Sequence, residues 1–290
     1  MEKSEKLIFD KNNPNLPQNY KNMKNIVPFF TFLILMGAIF SAKTAFAQSL
    51  DNLRFGFQAS PTFSWMNTND NKINNNGSFP GVLGIKLGMR GEYLFTPNGS
   101  YALTSGIGFG FSQGGTLLHE IGGNFWSGAE LSDTKFNTGI KPLPNQVNLK
   151  YNLQYLEIPL GLKMRTTDFG YFRYFVEIPV FTLGFLTQAR GAIEGVGVAT
   201  EKENVRGATN FFNLSWGLGG GVEYSISEKT ALVMGLYYQQ GFLDVTKDSG
   251  ASKATLVKEN MPPLENEYAV KAETSKGTLG SVVLYLGVLF

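Results

Sequence analysis

Two tripeptides, Glu157-Ile158-Pro159 and Glu177-Ile178-Pro179, place a carboxylate directly before an isoleucine-proline pair twice within one short stretch of chain. Carboxylates held side by side in a confined space repel, share a proton or take up cations. With a turn centred near Thr167, residues 157 and 177 fall in register on neighbouring strands and are expected to lie nearly opposite each other. A pair of that kind has the makings of a general acid and base or a proton relay. With cations between them it becomes an interior ion-pair network. Lys86, Arg90, Lys163, Arg165 and Arg173 are the candidate cations, and Glu92 and Glu223 are further carboxylates. Contact with a partner or ligand is the third use. The interior network is the reading carried forward. Pro159 and Pro179 lack a ladder donor, so each marks a bulge or a local break in strand pairing.

The single histidine, His119, stands beside Glu120. With Ser112 or Ser127 it would supply the base and nucleophile of a catalytic site, but one histidine next to one glutamate in a flexible loop is too little to carry catalysis. The chain has no cysteine and no second histidine, and its loop acids lack ligand spacing, so no metal site is expected. Gly106-Ile107-Gly108-Phe109-Gly110 and Gly217-Leu218-Gly219-Gly220-Gly221 resemble phosphate-binding loops in composition alone. Their glycines alternate with apolar residues and lead into no helix. No constellation supports an enzyme, and no cofactor is expected.

The elements that must hold these residues read as strands. In 53–65, Leu53, Phe55, Phe57, Phe63 and Trp65 oppose Arg54, Gln58, Ser60, Thr62 and Ser64. In 82–94, Leu83, Ile85, Leu87, Met89 and Tyr93 oppose Lys86, Arg90, Glu92 and glycines. The same period of two recurs over 101–112, 211–225, 230–241 and 279–290, and helical spacing fits none of these segments as well. Segments 149–165 and 171–188 are longer. In the first, apolar residues occupy odd positions before Tyr155 and even positions after it, at Leu156, Ile158, Leu160 and Leu162. Either a bulge or an upper half projecting beyond an apolar medium accounts for the slip.

The connections alternate in length. Tight turns at 95–100, 166–170 and 226–229 are separated by long stretches at 66–80, 115–146, 189–209 and 242–277. Stretch 115–146 is rich in apolar residues for a loop, among them Leu117, Phe125 and Trp126. It either folds over the end of the sheet or forms a docking surface. Stretch 242–277 is more polar and is expected to be partly disordered.

The apolar run 26–40, preceded by Lys21 and Lys24, is too short for a spanning helix. Ala45-Phe46-Ala47 follows in the small-x-small pattern of a cleaved leader, so cleavage is expected after Ala47, leaving Gln48 first. Residues 23–47 are then the leader, 1–22 an upstream extension preceding a start at Met23, and 48–290 the mature domain. Net charge is +2, too small to argue for nucleic acid, and 24 Phe with 12 Tyr suit aromatic girdles.

Export, eight strands, and alternating short and long connections together predict an all-β fold: an eight-stranded antiparallel up-and-down transmembrane barrel of the outer membrane. Both termini would lie on the periplasmic side. A barrel of this size fills its interior with side chains, whereas aqueous pores need roughly sixteen strands. The chain ends on a strand with Leu284, Leu286, Val288 and Phe290 on one face. A terminal aromatic on such a strand resembles the signature read by the barrel-insertion machinery. The expected partners are therefore outer-membrane lipid and that machinery, with other envelope or secretion proteins as a further class.

From 149 onward, Tyr155-Leu156-Glu157-Ile158-Pro159-Leu160-Gly161-Leu162-Lys163, the segment 171–186 and the segment 213–224 resemble the PorT-like family of outer-membrane barrels. The resemblance implies a small barrel and, through the founding member, a role in type IX secretion and gliding. The expected function is a non-enzymatic barrel contacting secretion partners. The alternatives are a stand-alone surface binding or adhesion barrel, and a lipid-modifying enzyme like the eight-stranded outer-membrane enzymes that use a histidine and a serine near the outer leaflet.

Overall fold

A strand with one apolar face is stable only if that face meets an apolar medium and its backbone groups find partners on both sides. The computed structural model satisfies the second condition by closing a ring. It describes residues 52–68, 73–74, 81–119, 123, 125–126, 128–132, 143–247, 254–258, 268–272 and 276–290. The expected leader with Ala45, Ala47 and Gln48, the upstream extension, Glu120 and Ser127 lie outside the described residues.

Eight strands make the ring: β1 (Leu53–Thr68), β2 (Gly81–Leu94), β3 (Tyr101–His119), β4 (Val147–Arg165), β5 (Phe172–Gly195), β6 (Phe212–Ser225), β7 (Ala231–Gly241) and β8 (Gly277–Leu289). Each pairs antiparallel with the next, and β8 closes on β1 through Gly56–Leu289 to Thr68–Gly277. Phe290 exchanges backbone hydrogen bonds with Phe55, 2.7 Å from its own N–H and 3.2 Å to its carbonyl. Closure leaves no edge of the ring unpaired.

Outward positions carry an apolar belt. Phe57, Leu83, Leu162, Phe181, Leu236 and Leu284 are each more than a third exposed. Aromatic rings gather at its two margins. Tyr93, Phe95, Phe172 and Tyr224 stand at the short-turn end, and Phe63, Trp65, Phe185 and Phe212 at the long-loop end.

The slip at Tyr155 is resolved in favour of projection. Odd positions of β4 face inward along its whole length, from Val147 to Arg165. Below Tyr155 the inward residues include the charged Glu157, Lys163 and Arg165, and the outward ones are apolar. Above it Leu149, Tyr151 and Leu153 point in, while Asn148, Lys150, Asn152 and Gln154 point out. The strand changes solvent rather than phase. The bulges fall on its neighbours, between Gly110 and Gln113 in β3 and opposite Gln154–Tyr155 in β5.

Several segments read as loop are therefore strand. β3 continues to His119, β5 continues to Gly195, and a further strand, Val198–Asn204, pairs with the top of β5. Within the polar stretch after β7, Ala254–Lys258 and Tyr268–Ala272 form a separate hairpin.

Candidate functional site

The interior is built in three levels. At the short-turn end Glu92 and Glu223, both nearly inaccessible, share three cations. Lys163 Nζ lies 2.8 Å from Glu92 and 2.5 Å from Glu223. Arg165 bridges the same two carboxylates, with Nε 2.8 Å from Glu223. Arg54 Nη1 adds contacts of 3.6 and 3.3 Å. A charge inside a narrow barrel is stable only when paired and hydrogen-bonded, and these five residues meet that condition collectively.

The middle level centres on Glu177. Its Oε1 accepts from Arg90 and from Thr104 Oγ1, and its Oε2 accepts from Tyr237 Oη at 2.6 Å. The Arg90 guanidinium lies 5.6 Å from the Tyr237 ring centre and 5.2 Å from that of Tyr285, within cation–π range. Gly161 makes room for this cluster, because a Cβ there would collide with Glu177 Oε1 and Thr104 Oγ1. Above it, Lys86 Nζ reaches Glu157 Oε2 and Gln239 Oε1, both at 2.9 Å, and Gln113 donates to Glu157. A cavity of about 40 Å³ between these levels is lined by Lys86, Arg90, Glu157, Thr182 and Gln239. It has room for one or two waters.

The upper level is apolar. Met66, Leu117, Leu149, Leu153, Tyr155, Leu186 and Leu279 from the strands pack with Phe125, Trp126, Leu131, Val205 and Val245 from the connections. Trp126 is the anchor. It is 1% exposed, its Nε1 donates to Tyr151 Oη at 2.7 Å, and its ring fills the space above Gly191. Its backbone has φ of 56°, a conformation strained for a bulky residue and maintained by the surrounding packing. Glycines also join the two loops: a Cβ on Gly128 would stand 2.9 Å from Gly207 O.

The register corrects the expected carboxylate pair. Glu157 lies opposite Gly184, and Glu177 lies opposite Lys163. The β4–β5 turn is centred about three residues later than Thr167, with Phe169 bridged to Phe172. A further offset comes from the register shift at Gly161–Lys163. The two carboxylates thus occupy separate levels, each with its own cation. Arg173 is also displaced from its expected place. It pairs with Asp168 in the short turn, Nη2 to Oδ2 at 2.9 Å, instead of entering the lumen network. This hydrogen bond holds the Asp168 carboxyl below the usual aspartate range. Pro179 sits in the bulge between Glu177 and Val180, and β3–β4 pairing skips the rungs at Ile158 and Pro159.

His119 is not in a flexible loop. It ends β3, buried, with its ring 3.9 Å from that of Phe125. Ser112 lies seven residues earlier at the β3 bulge, within 3.3 Å of Asn152 Nδ2, so the two are not brought together. Arg54, Gln113, Tyr237, Gln239 and Tyr285 enter the polar levels without having been singled out as site residues. Arg54 and the two tyrosines share the inward phase of their strands, and that phase was the signal available.

No curated protein matches the chain. Among solved structures, Neisserial surface protein A is 12% identical, covering 81% of this chain and 95% of that one at a TM-score of 0.36. OprG from Pseudomonas aeruginosa is 10% identical, covering 82% and 95% at 0.35. The attachment invasion locus protein Ail of Yersinia pestis, solved with the heparin analogue sucrose octasulfate, is 11% identical, covering 82% and 99% at 0.35. The family model described as outer membrane protein beta-barrel domain matches residues 46–247. The chain, a closed ring of eight strands with an apolar belt outside and a packed lumen, belongs to the outer membrane protein beta-barrel domain family and resides in the outer membrane.

Proposed function

We propose that this protein is a non-enzymatic, non-conducting outer-membrane barrel that works through contacts of its outer end with other envelope proteins, as an accessory component of type IX secretion. The observation that carries the first part is the plug. Ion pairs fill the lower lumen, the apolar cluster around Trp126 covers the upper, and the cavity between the polar levels has room for one or two waters. Solute passage would require breaking buried ion pairs or exposing that cluster, each costing several kcal/mol. The outer halves of β4 and β5 rise above the aromatic margin and present polar side chains outward, among them Lys150, Asn152, Thr187 and Arg190, which suits contact with other proteins. The secretion role rests on the resemblance of 155–163 and the segments after it to the PorT-like barrels.

A clean deletion in the native host tests the proposal, with exported cargo and gliding as readouts. Loss of both, restored by complementation, is expected, together with a secretion component co-purifying from native membranes. Unimpaired export and gliding would refute the secretion role. Binding of a host or environmental ligand by the purified barrel would then favour a stand-alone adhesion protein. His119→Ala is expected to leave lipid A and phospholipid profiles unchanged. An altered profile would refute the non-enzymatic reading.

A further inference from the structure

We infer that an ordered water is built into the seam between the apolar cluster and the ion pairs, held by Tyr155 and Asn213. Tyr155 is the last residue of the cluster on β4 before the charged levels begin. It is buried, and its hydroxyl has no hydrogen-bond partner among the described residues. Asn213 enters from β6, and its Oδ1 is likewise buried and without a partner. Gly184 of β5, paired with Asn213 across the sheet, stands between the two side chains. A Cβ there would lie 3.3 Å from Tyr155 Cδ1 and 3.6 Å from Asn213 Cβ. Tyr155 and Asn213 line one cavity of about 20 Å³, whose wall also includes Gly184, Ser215 and Ser281. Leaving a buried hydroxyl and a buried amide oxygen unmatched is costly, and an adjoining polar cavity is where such groups take up water.

The size and charge of the cavity choose the ligand. A water needs about 10–15 Å³ and roughly two to four polar partners, and this cavity supplies both with no room for a larger solute. Lys86 and Glu157 also line it, paired with each other at 2.9 Å. An anion there would meet the Glu157 carboxylate and a cation the Lys86 ammonium, so a neutral ligand is favoured. Water can accept from the Tyr155 hydroxyl and donate to Asn213 Oδ1, which matches the two unpartnered groups. The same need recurs one level down. Lys86, Glu157, Thr182 and Gln239 are shared with the cavity of about 40 Å³, on whose wall Ser60 has a buried Oγ without a partner. The seam water thus heads a short file of waters around the Lys86–Glu157 pair, and through them the plug is hydrogen-bonded to the ion-pair levels.

Two measurements test the site. A crystal structure of the intact barrel, at a resolution that shows ordered water, is expected to place one oxygen within hydrogen-bonding distance of both Tyr155 Oη and Asn213 Oδ1. Unfolding of Tyr155→Phe in lipid vesicles reads the energy, with heat-modifiable mobility verifying that the variant is folded. Its unfolding equilibrium constant should rise about fivefold, because the water loses a partner. A dry hydroxyl would give the opposite sign, since removing an unmatched buried group relieves a cost. Asn213→Leu should also raise the constant, and Tyr155→Phe combined with Asn213→Leu should raise it by less than the product of the single effects, because one water serves both. An empty seam in the crystal structure, an unchanged or lowered constant for Tyr155→Phe, or single effects that multiply would overturn the site. Anomalous density in the seam from crystals grown in bromide would make the ligand an ion and overturn the water assignment.

Discussion

Replacing Glu177 with glutamine keeps the shape of the middle level and removes its charge. Glu177 has no exposed surface, and it accepts from Arg90, Thr104 and Tyr237. The amide presents one carbonyl oxygen where the carboxylate had two acceptors, so at least one donor loses its partner. Arg90 meanwhile loses its opposing charge, while its contacts with the Tyr237 and Tyr285 rings and with Thr104 remain. Breaking a buried ion pair from one side costs about 3–5 kcal/mol, because the remaining charge is left uncompensated. Arg90 also lines the cavity of about 40 Å³, where water can rehydrate it in part. The lower end of that range, about 3 kcal/mol, is therefore expected. The assay is reversible denaturant unfolding of the barrel in lipid vesicles, followed by tryptophan fluorescence and heat-modifiable mobility. Adding Arg90→Met removes the stranded charge, so the double variant should recover about 2 kcal/mol or more. A loss below about 1 kcal/mol for Glu177→Gln, or strictly additive losses in the double variant, would show that the pair is not the electrostatic centre of the lumen.

Four further outcomes follow from the same geometry. Deleting Phe290 removes its two backbone bonds to Phe55 and its edge contact with the Phe57 ring at 6.4 Å. Heat-modifiable barrel in the membrane should fall sharply, and wild-type levels would contradict this. Trp126→Ala empties the centre of the upper cluster and should cost about 3–5 kcal/mol in the same unfolding assay, whereas Tyr151→Phe, which orphans the indole N–H, should cost about 1–3 kcal/mol. Planar bilayers containing the wild-type barrel should show no stable conductance steps, and discrete openings would refute the plug. Asp168→Asn should change stability by less than about 1 kcal/mol, because its pair with Arg173 is exposed. The small contribution is present above the ordinary aspartate pKa and is lost as pH falls through the depressed folded value, so a pH series on wild type and variant should converge in acid.

Period-two alternation depends on which side of a strand meets which medium, and this is a local property. The eight strands, their alternating short and long connections, and the inward phase of Lys86, Arg90, Glu92, Glu157, Lys163, Arg165, Glu177 and Glu223 were therefore legible along the chain. So was the closing role of the strand ending at Phe290, because a ring in lipid cannot leave edges. Register depends on where a turn is centred and on where bulges insert residues, and neither shows in alternation. A turn centre displaced by about three residues, with a bulge at Pro179, moved Glu157 and Glu177 to different levels and gave each a separate cation. Arg173 had the right phase and the wrong height, and it paired with Asp168 in the turn. The apolar residues of 115–146 announced a need for burial without saying where. Only the three-dimensional packing placed Trp126 above Gly191 and turned His119 against Phe125. The slip at Tyr155 shows the division most clearly. The sequence recorded that the apolar face changes sides, and the tertiary structure decided why: β4 leaves the lipid there and its inward face becomes the core of the plug.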